Sequence, residues 1–180
     1  DVRGVDLGSL AFVQAPVVLG NLPYYVSKPI VTRLAQWGGF NRAVLMLQLE
    51  VVQRLLARPG ESAYSMLSVL FNLSASGEMI MTLGPENFRP RPKVTSAVVR
   101  IKPAPIRLQQ TDSLAGLLRA AFNSRRQKLI NSLARRFPQW SKPKLEEVFV
   151  LAGISAAARP QEVPVGAYIK LAEKLMLYNE

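Results

Sequence analysis

Strand-like apolar runs and helix-spaced segments take turns through the first half of the chain. Val17-Val18-Leu19, closed by Gly20, and Ala43-Val44-Leu45-Met46-Leu47 are the two clearest runs. Between them Ser27 and Pro29 mark a helix start, Ile30, Leu34 and Trp37 recur at helical spacing, and Gly38-Gly39 stops the segment. Glu50 to Ala57 repeats that spacing until Pro59-Gly60, and Tyr64 to Leu73 predicts a further apolar helix. Met79 to Leu83 and Ser96 to Ile101 then predict two strands joined by a proline-rich loop, able to pair as a long hairpin at a sheet edge. Such alternation is the rhythm of a layered α/β sheet.

The pattern changes near Lys102-Pro103-Ala104-Pro105, where a domain boundary is expected. Beyond Ile106 the strand patterning stops. Ser113 to Asn123, Arg125 to Arg136, Lys142 to Ala152 and Val165 to Tyr178 have amphipathic helical spacing and predict a small helical domain. Its basic run, Arg125, Arg126, Lys128, Arg135 and Arg136, is expected on a helix that can lie along a phosphate backbone.

Composition narrows the chemistry. The 180 residues are 49% hydrophobic, ample for a packed core, and include neither cysteine nor histidine. Disulfides, thiolate or imidazole metal sites, and Ser-His or Cys-His catalytic pairs are therefore excluded, and no metal is expected. No apolar run approaches the roughly 18 to 20 residues of a membrane span, and the first ten residues lack the regions of a signal peptide. A soluble, cytoplasmic, monomeric protein without a membrane partner is expected. The formal net charge of +11 suits a polyanion, because Lys and Arg that neutralise phosphates release condensed counterions. Nucleic acid leads, with a solvated basic surface or acidic lipid as alternatives.

Asn21-Leu22-Pro23-Tyr24 follows the first strand directly, at the carboxyl end where open α/β sheets place ligands. The order Asn, apolar residue, Pro, aromatic looks like the catalytic tetrapeptide of amine-directed nucleic-acid methyltransferases. Each residue type answers a need of that chemistry. An adenine amine is a poor nucleophile because its lone pair is delocalised into the ring. The Asn21 side-chain oxygen and the Leu22 carbonyl can each accept one amine N–H, freeing the pair and stabilising the positive charge that develops on nitrogen. Pro23 holds Leu22 extended, which aims that carbonyl in advance. Tyr24 supplies a face for the base, worth about 1–3 kcal/mol per stacked base. No general base is required, since the methylated ammonium is acidic enough to lose its proton to water. The plain alternative is a turn, which Asn and Pro also favour.

With further segments in view, the chain resembles the KsgA family of small-subunit ribosomal RNA adenine dimethyltransferases. The resemblance runs through residues 20–27, 46–55 and 64–69, then through Phe88-Arg89-Pro90-Arg91-Pro92-Lys93-Val94-Thr95-Ser96 and on to Arg100, and finally through Phe122-Asn123-Ser124-Arg125-Arg126-Gln127-Lys128-Leu129. It implies a partial Rossmann-like methyltransferase sheet over residues 1–105 and a helical, rRNA-contacting domain over 106–180. It implies S-adenosylmethionine as methyl donor, and as partner the small ribosomal subunit with two adjacent adenines near the 3′ end of its rRNA. It also implies that Asn21 positions the amine and lies beside the cofactor, that Tyr24 and Phe88 sandwich a flipped adenine, and that Pro90 and Pro92 shape the pocket. Asp1 aligns with the residue that accepts a hydrogen bond from the cofactor's adenine amine. Arg91 and Lys93 either contact phosphate or are solvated, and Phe88 without the resemblance reads as a loop anchor. Gln48 and Glu50 match a motif beside the active-site strand, although a helix amino-terminal charge explains Glu50 as well.

Departures accompany the match. The family's glycine-rich loop and the acidic residue for the ribose hydroxyls belong ahead of Asp1, which implies a fragment without the amino-terminal cofactor part. Such a fragment is expected to be marginally stable or non-catalytic, with Val17 to Leu19 as an exposed apolar sheet edge. Leu49 stands where the family usually has Lys, and Ser65 where it has Gly. Two other functions fit parts of the pattern: the large-subunit adenine methyltransferases share the tetrapeptide, and a non-catalytic RNA-binding assembly or transcription factor would need the same charge. The run Ala152-Gly153-Ile154 with Arg159-Pro160-Gln161-Glu162 looks more like the small-subunit enzyme.

Overall fold

The computed structural model describes residues 4–9, 12–104 and 112–177. Asp1 and Pro105 lie outside them. The chain divides into two compact units, residues 1–56 with 70–108, and residues 57–69 with 109–180.

The first unit is a mixed sheet of four strands in the order β1-β2-β4-β3, where β1 is Val17–Asn21, β2 Arg42–Gln48, β3 Ala75–Leu83 and β4 Ser96–Pro103. β1 and β2 run parallel, with Leu19 opposite Val44 and Asn21 opposite Met46. β4 is antiparallel to both of its neighbours. β2 alternates strictly: Ala43, Leu45 and Leu47 are buried while the residues between them are half-buried. That period of two gives the sheet one core face, covered by α1 (Ser27–Trp37) and α2 (Leu49–Leu56) through Val31, Leu34, Val52 and Leu55. The expected punctuation of α1 holds. Pro29 sits in the first turn, where helical N–H groups lack partners anyway, and Gly38 closes the helix in the left-handed region at φ 59°, its N–H donating to the Leu34 carbonyl at 3.1 Å. The α/β fold class expected from the alternation is borne out, and no helix among the described residues is long and apolar enough to cross a membrane.

One strand departs from expectation. β3 begins at Ala75, four residues before the apolar run at Met79, because pairing with β4 carries it through Ser76, Gly77 and Glu78. Glu78 stands opposite Arg100 and forms an ion pair with it across the strands. A bulge between Met79 and Met81 interrupts the register, and Met79, Ile80 and Met81 remain exposed on this outer strand. At the other edge Val17 is 51% and Leu19 75% exposed, so β1 does present an apolar border.

The second unit is helical: α4 (Asp112–Phe122), α5 (Leu129–Arg136), α6 (Lys142–Ala152) and α7 (Val165–Leu177), joined by residues 57–69, which include the start of α3 (Met66–Ser74). A cut at residue 105 leaves residues 57–69 with the sheet, whereas Tyr64 groups them with the helices. Its ring is buried against Phe122 at 6.2 Å, and its hydroxyl donates to the Val163 carbonyl at 2.9 Å. Phe122 in turn packs on Tyr168 at 5.9 Å, whose hydroxyl donates to the Pro160 carbonyl at 2.8 Å. The Gly60 N–H reaches the Gln161 carbonyl at 2.7 Å.

Burial pushes the Tyr64 phenol up to about 12, and burial with the neighbouring Tyr64 raises Tyr168 as well. The unfolded chain releases these protons near pH 10 while the folded unit resists, so stability is full below about pH 10 and falls as pH climbs toward 12. Each tenfold gain in proton affinity on folding corresponds to about 1.36 kcal/mol, so Tyr64 alone contributes a loss of about 2–3 kcal/mol by pH 12, before the further loss from Tyr168. Urea unfolding at stepped alkaline pH checks this: Tyr64→Phe is expected to flatten the decline, and an unchanged decline would contradict the assignment.

Candidate active site

The site grows from the end of β1. Gly20 leaves little room for a side chain: a Cβ there would come within 3.1 Å of a Leu45 methyl and 3.3 Å of a Leu22 methyl, which would have to give by a few tenths of an ångström. The strand therefore packs closely just before Asn21. Pairing with β2 continues one step past the strand, from the Leu22 N–H to the Met46 carbonyl at 3.3 Å, and then the chain turns. Within the turn the Pro23 carbonyl accepts the Val26 N–H at 3.1 Å, and the Tyr24 carbonyl accepts the hydroxyl of Ser27, a fully buried residue, at 3.0 Å. Asn21 is left exposed at the carboxyl end of the strand.

The opposite wall comes from the loop between β3 and β4. A single 3-10 turn over Pro85–Asn87 is fastened by the Asn87 side chain to the Gly84 carbonyl at 3.1 Å and by the Phe88 N–H to the Pro85 carbonyl at 3.2 Å. Phe88 leaves the turn extended and half-buried. The result is one cleft of about 340 Å³, bounded on one side by Asn21 to Tyr24 over Met46 and on the other by Phe88, Arg89, Pro90 and Pro92. That volume lies at the lower end of the roughly 300–1,000 Å³ usual for small-ligand sites. The five residues expected to do the chemistry, separated by more than sixty positions in sequence, line this one cleft. Its lining holds a neutral amide, backbone carbonyls, two aromatic rings and one guanidinium, and no carboxylate.

Sequence reasoning missed Ser96. Buried at the start of β4, its hydroxyl is 2.9 Å from that of Tyr24. The bond fixes the outer end of the Tyr24 ring, and only the insertion of β4 beside β2 makes it visible. Ser96→Ala is expected to weaken binding of an adenine-containing oligonucleotide about three- to tenfold, in line with about 0.5–1.5 kcal/mol for one hydrogen bond. Titration of the two proteins with the same oligonucleotide checks it, and equal affinities would mean that Tyr24 needs no such anchor.

The remaining expected residues fall into three groups. Arg91 and Lys93 are exposed on the Phe88 loop. Arg125 donates to the carbonyls of Ser62 at 2.9 Å and Tyr64 at 2.7 Å, so its guanidinium fastens residues 57–69 to the helical unit. Arg126 and Lys128 are exposed, Arg126 on a turn and Lys128 in the residue before α5, rather than on a helix. α5 starts only at Leu129, whose N–H is taken by the Ala158 carbonyl at 2.9 Å, and Lys128 before it is extended. Asp1 lies outside the described residues. Glu50 forms an ion pair with Arg54 one turn along α2.

The sheet, with β4 inserted antiparallel between β2 and β3 and a cleft at the end of β1, places the chain among Rossmann-like methyltransferase folds. The solved dimethyladenosine transferase from Plasmodium falciparum superposes with a TM-score of 0.74 at 25% identity, over 97% of this chain and 70% of that one. A 23S rRNA methyltransferase, ErmE, shares the fold with a TM-score of 0.64 at 22% identity, over 95% of this chain and 70% of its own. The family model for ribosomal RNA adenine dimethylase matches residues 9–175, and the chain belongs to that family. Ribosomal RNA small subunit methyltransferase A of Hydrogenovibrio crunogenus is 36% identical over 158 residues, 86% of this chain. This chain spans 57% of that relative's length.

Proposed function

We propose that the chain carries the base-binding and amine-positioning part of an rRNA adenine dimethyltransferase that acts on two adjacent adenines near the 3′ end of small-subunit rRNA. The cleft that joins Asn21 to Tyr24 with Phe88 carries this proposal. An unstacked adenine enters between the two aromatic rings, and its exocyclic amine meets the Asn21 side-chain oxygen and the Leu22 carbonyl. The neighbouring carbonyls of Pro23 and Tyr24 already accept bonds within the turn, which supports the Asn21 side chain and the Leu22 carbonyl as the acceptors for the amine. Both acceptors strengthen their bonds as positive charge builds on nitrogen, so they favour the transition state over the bound substrate. With no carboxylate in the lining, the proton leaves to water.

S-adenosylmethionine, the donor that the family implies, supplies an electrophilic methyl group on a sulfonium. The described residues fit only its methyl end, through Asn21 at the strand terminus, and the cleft lining offers no acidic partner for ribose hydroxyls. A cytoplasmic setting, where small subunits mature, goes with this proposal.

The test is methyl transfer from labelled S-adenosylmethionine to unmethylated small ribosomal subunits, by this chain alone and joined to the family's glycine-rich cofactor segment ahead of Asp1. Label on neighbouring adenines near the 3′ end supports the proposal. Subunits bound without any transfer by the joined protein would favour the assembly-factor alternative, and label on large-subunit rRNA the other one.

A further inference from the structure

We infer that the corner between α4 and α5 is a binding site for one phosphate group of an RNA backbone, held by Ser132 with Arg135 and Arg136. The inference rests on the RNA-directed proposal above and adds to it a specific contact.

Ser132, Arg135 and Arg136 lie three and four positions apart on α5 and so share one face of it. That face lines a pocket of about 110 Å³ together with Ala120 at the end of α4 and Asn123 and Ser124 in the turn that follows. Every polar side chain in the lining can donate a hydrogen bond, two of them are cationic, and none is a carboxylate. The space suits a single tetrahedral anion, being a few times the share of one water in the liquid, about 30 Å³.

A second observation comes from Ser132 itself. It is only 5% exposed, and its hydroxyl has no hydrogen-bond partner among the described residues. A hydroxyl in a helix ordinarily bonds to the carbonyl one turn back or to water, and leaving it dry and unpaired is unfavourable. A buried hydroxyl without a partner calls for an explanation, and a bound anion that supplies the missing partner is one. Arg135 is held in place by its bond to the Gln127 side chain at 2.8 Å, and Arg136 lies over the Phe137 ring at 5.6 Å. Both cations thus stand on a restrained support at the pocket's exposed side. An anion there would gain two charge-assisted contacts and the Ser132 hydroxyl. The phosphate contact consequently falls on α5, downstream of the run from Arg125 to Lys128, in which Arg125 is engaged with Ser62 and Tyr64.

The experiment measures binding of a fluorescent RNA hairpin from the 3′ end of small-subunit rRNA to the 180-residue chain across a salt series, with thermal unfolding in rising inorganic phosphate alongside. Ser132→Ala is expected to weaken hairpin binding about tenfold and to blunt the stabilisation by phosphate. Its own melting temperature without phosphate is expected to stay level or rise, because a partnerless buried hydroxyl has been removed, which separates this result from damage to the fold. Arg136→Gln is expected to lower the slope of log affinity against log salt by about 0.7–0.9, the share of one phosphate contact. Unchanged hairpin affinity and an unchanged phosphate response in both variants would overturn the inference while leaving RNA binding by the chain intact. Failure of the unsubstituted chain to bind the hairpin would overturn the RNA-directed proposal, and with it the RNA assignment of this pocket.

Discussion

In the protein joined to the family's cofactor segment, and on the function proposed above, Asn21→Ala is expected to lower methyl transfer to small-subunit rRNA by about a hundredfold to a thousandfold, the range seen when one preorganised partner of a developing charge is removed. RNA affinity is expected to stay within about threefold of the unsubstituted protein, because stacking between aromatic rings and phosphate contacts do not involve the amide. The side chain sits exposed at the end of β1 and packs in no core, so loss of folding does not confuse the outcome. Single-turnover transfer and equilibrium binding with the same RNA make the comparison. A parallel fall in both would place Asn21 in binding alone, and full retention of transfer would remove it from the mechanism.

Tyr64→Ala is expected to destabilise the helical unit by about 3–5 kcal/mol, the usual result of emptying a large aromatic from a core. The ring's contact with Phe122 disappears, and the Val163 carbonyl loses its donor. Arg125→Ala is expected to act on the same unit through the carbonyls of Ser62 and Tyr64. Because Arg125 bonds the carbonyl of Tyr64 itself, the two substitutions are coupled and the double variant should fall short of the sum. Hydrogen exchange over residues 57–69 and α4 to α7 reads this directly. A loss below about 1 kcal/mol for Tyr64→Ala would show that residues 57–69 lie outside that unit's core.

The same pair of residues shows where the sequence was readable and where it was not. Val17 to Leu19 and Ala43 to Leu47 announced strands because their periodicity is local, and Gly38 and Pro29 punctuated α1 by backbone chemistry that needs no tertiary context. The tetrapeptide was legible for a similar reason, since Asn21, Leu22, Pro23 and Tyr24 are contiguous and each type has a separate chemical meaning. Tyr64 offered no such signal. Apolar spacing from Tyr64 to Leu73 reads equally well as a helix of either unit, and only the distant carbonyl of Val163 decides where its beginning belongs. Arg125 was assigned by charge to a phosphate, although a guanidinium serves backbone carbonyls just as well. Ser96 was invisible because a serine at the head of a strand has no meaning until β4 is known to lie beside β2. The run from Ser76 to Glu78 escaped notice since pairing with β4, not apolar periodicity, makes it a strand.

That strand order also sets a timetable for synthesis. β2 is finished at Gln48 and β3 at Leu83, yet the strand that separates them starts only at Ser96. At about 5–20 residues per second, the interval between Gln48 and Ser96 leaves β2 for roughly 2–10 s without the neighbour on that side. Until β4 is made, β2 has only β1 beside it, and β3, which pairs with β4, has no place in the sheet; the last strand joins the two like a keystone. Until then the site is also unbuilt, because Phe88 has no loop to hang from and Tyr24 has no Ser96 to hold its ring. Closing of the sheet therefore also completes the cleft that joins Asn21 to Tyr24 with Phe88.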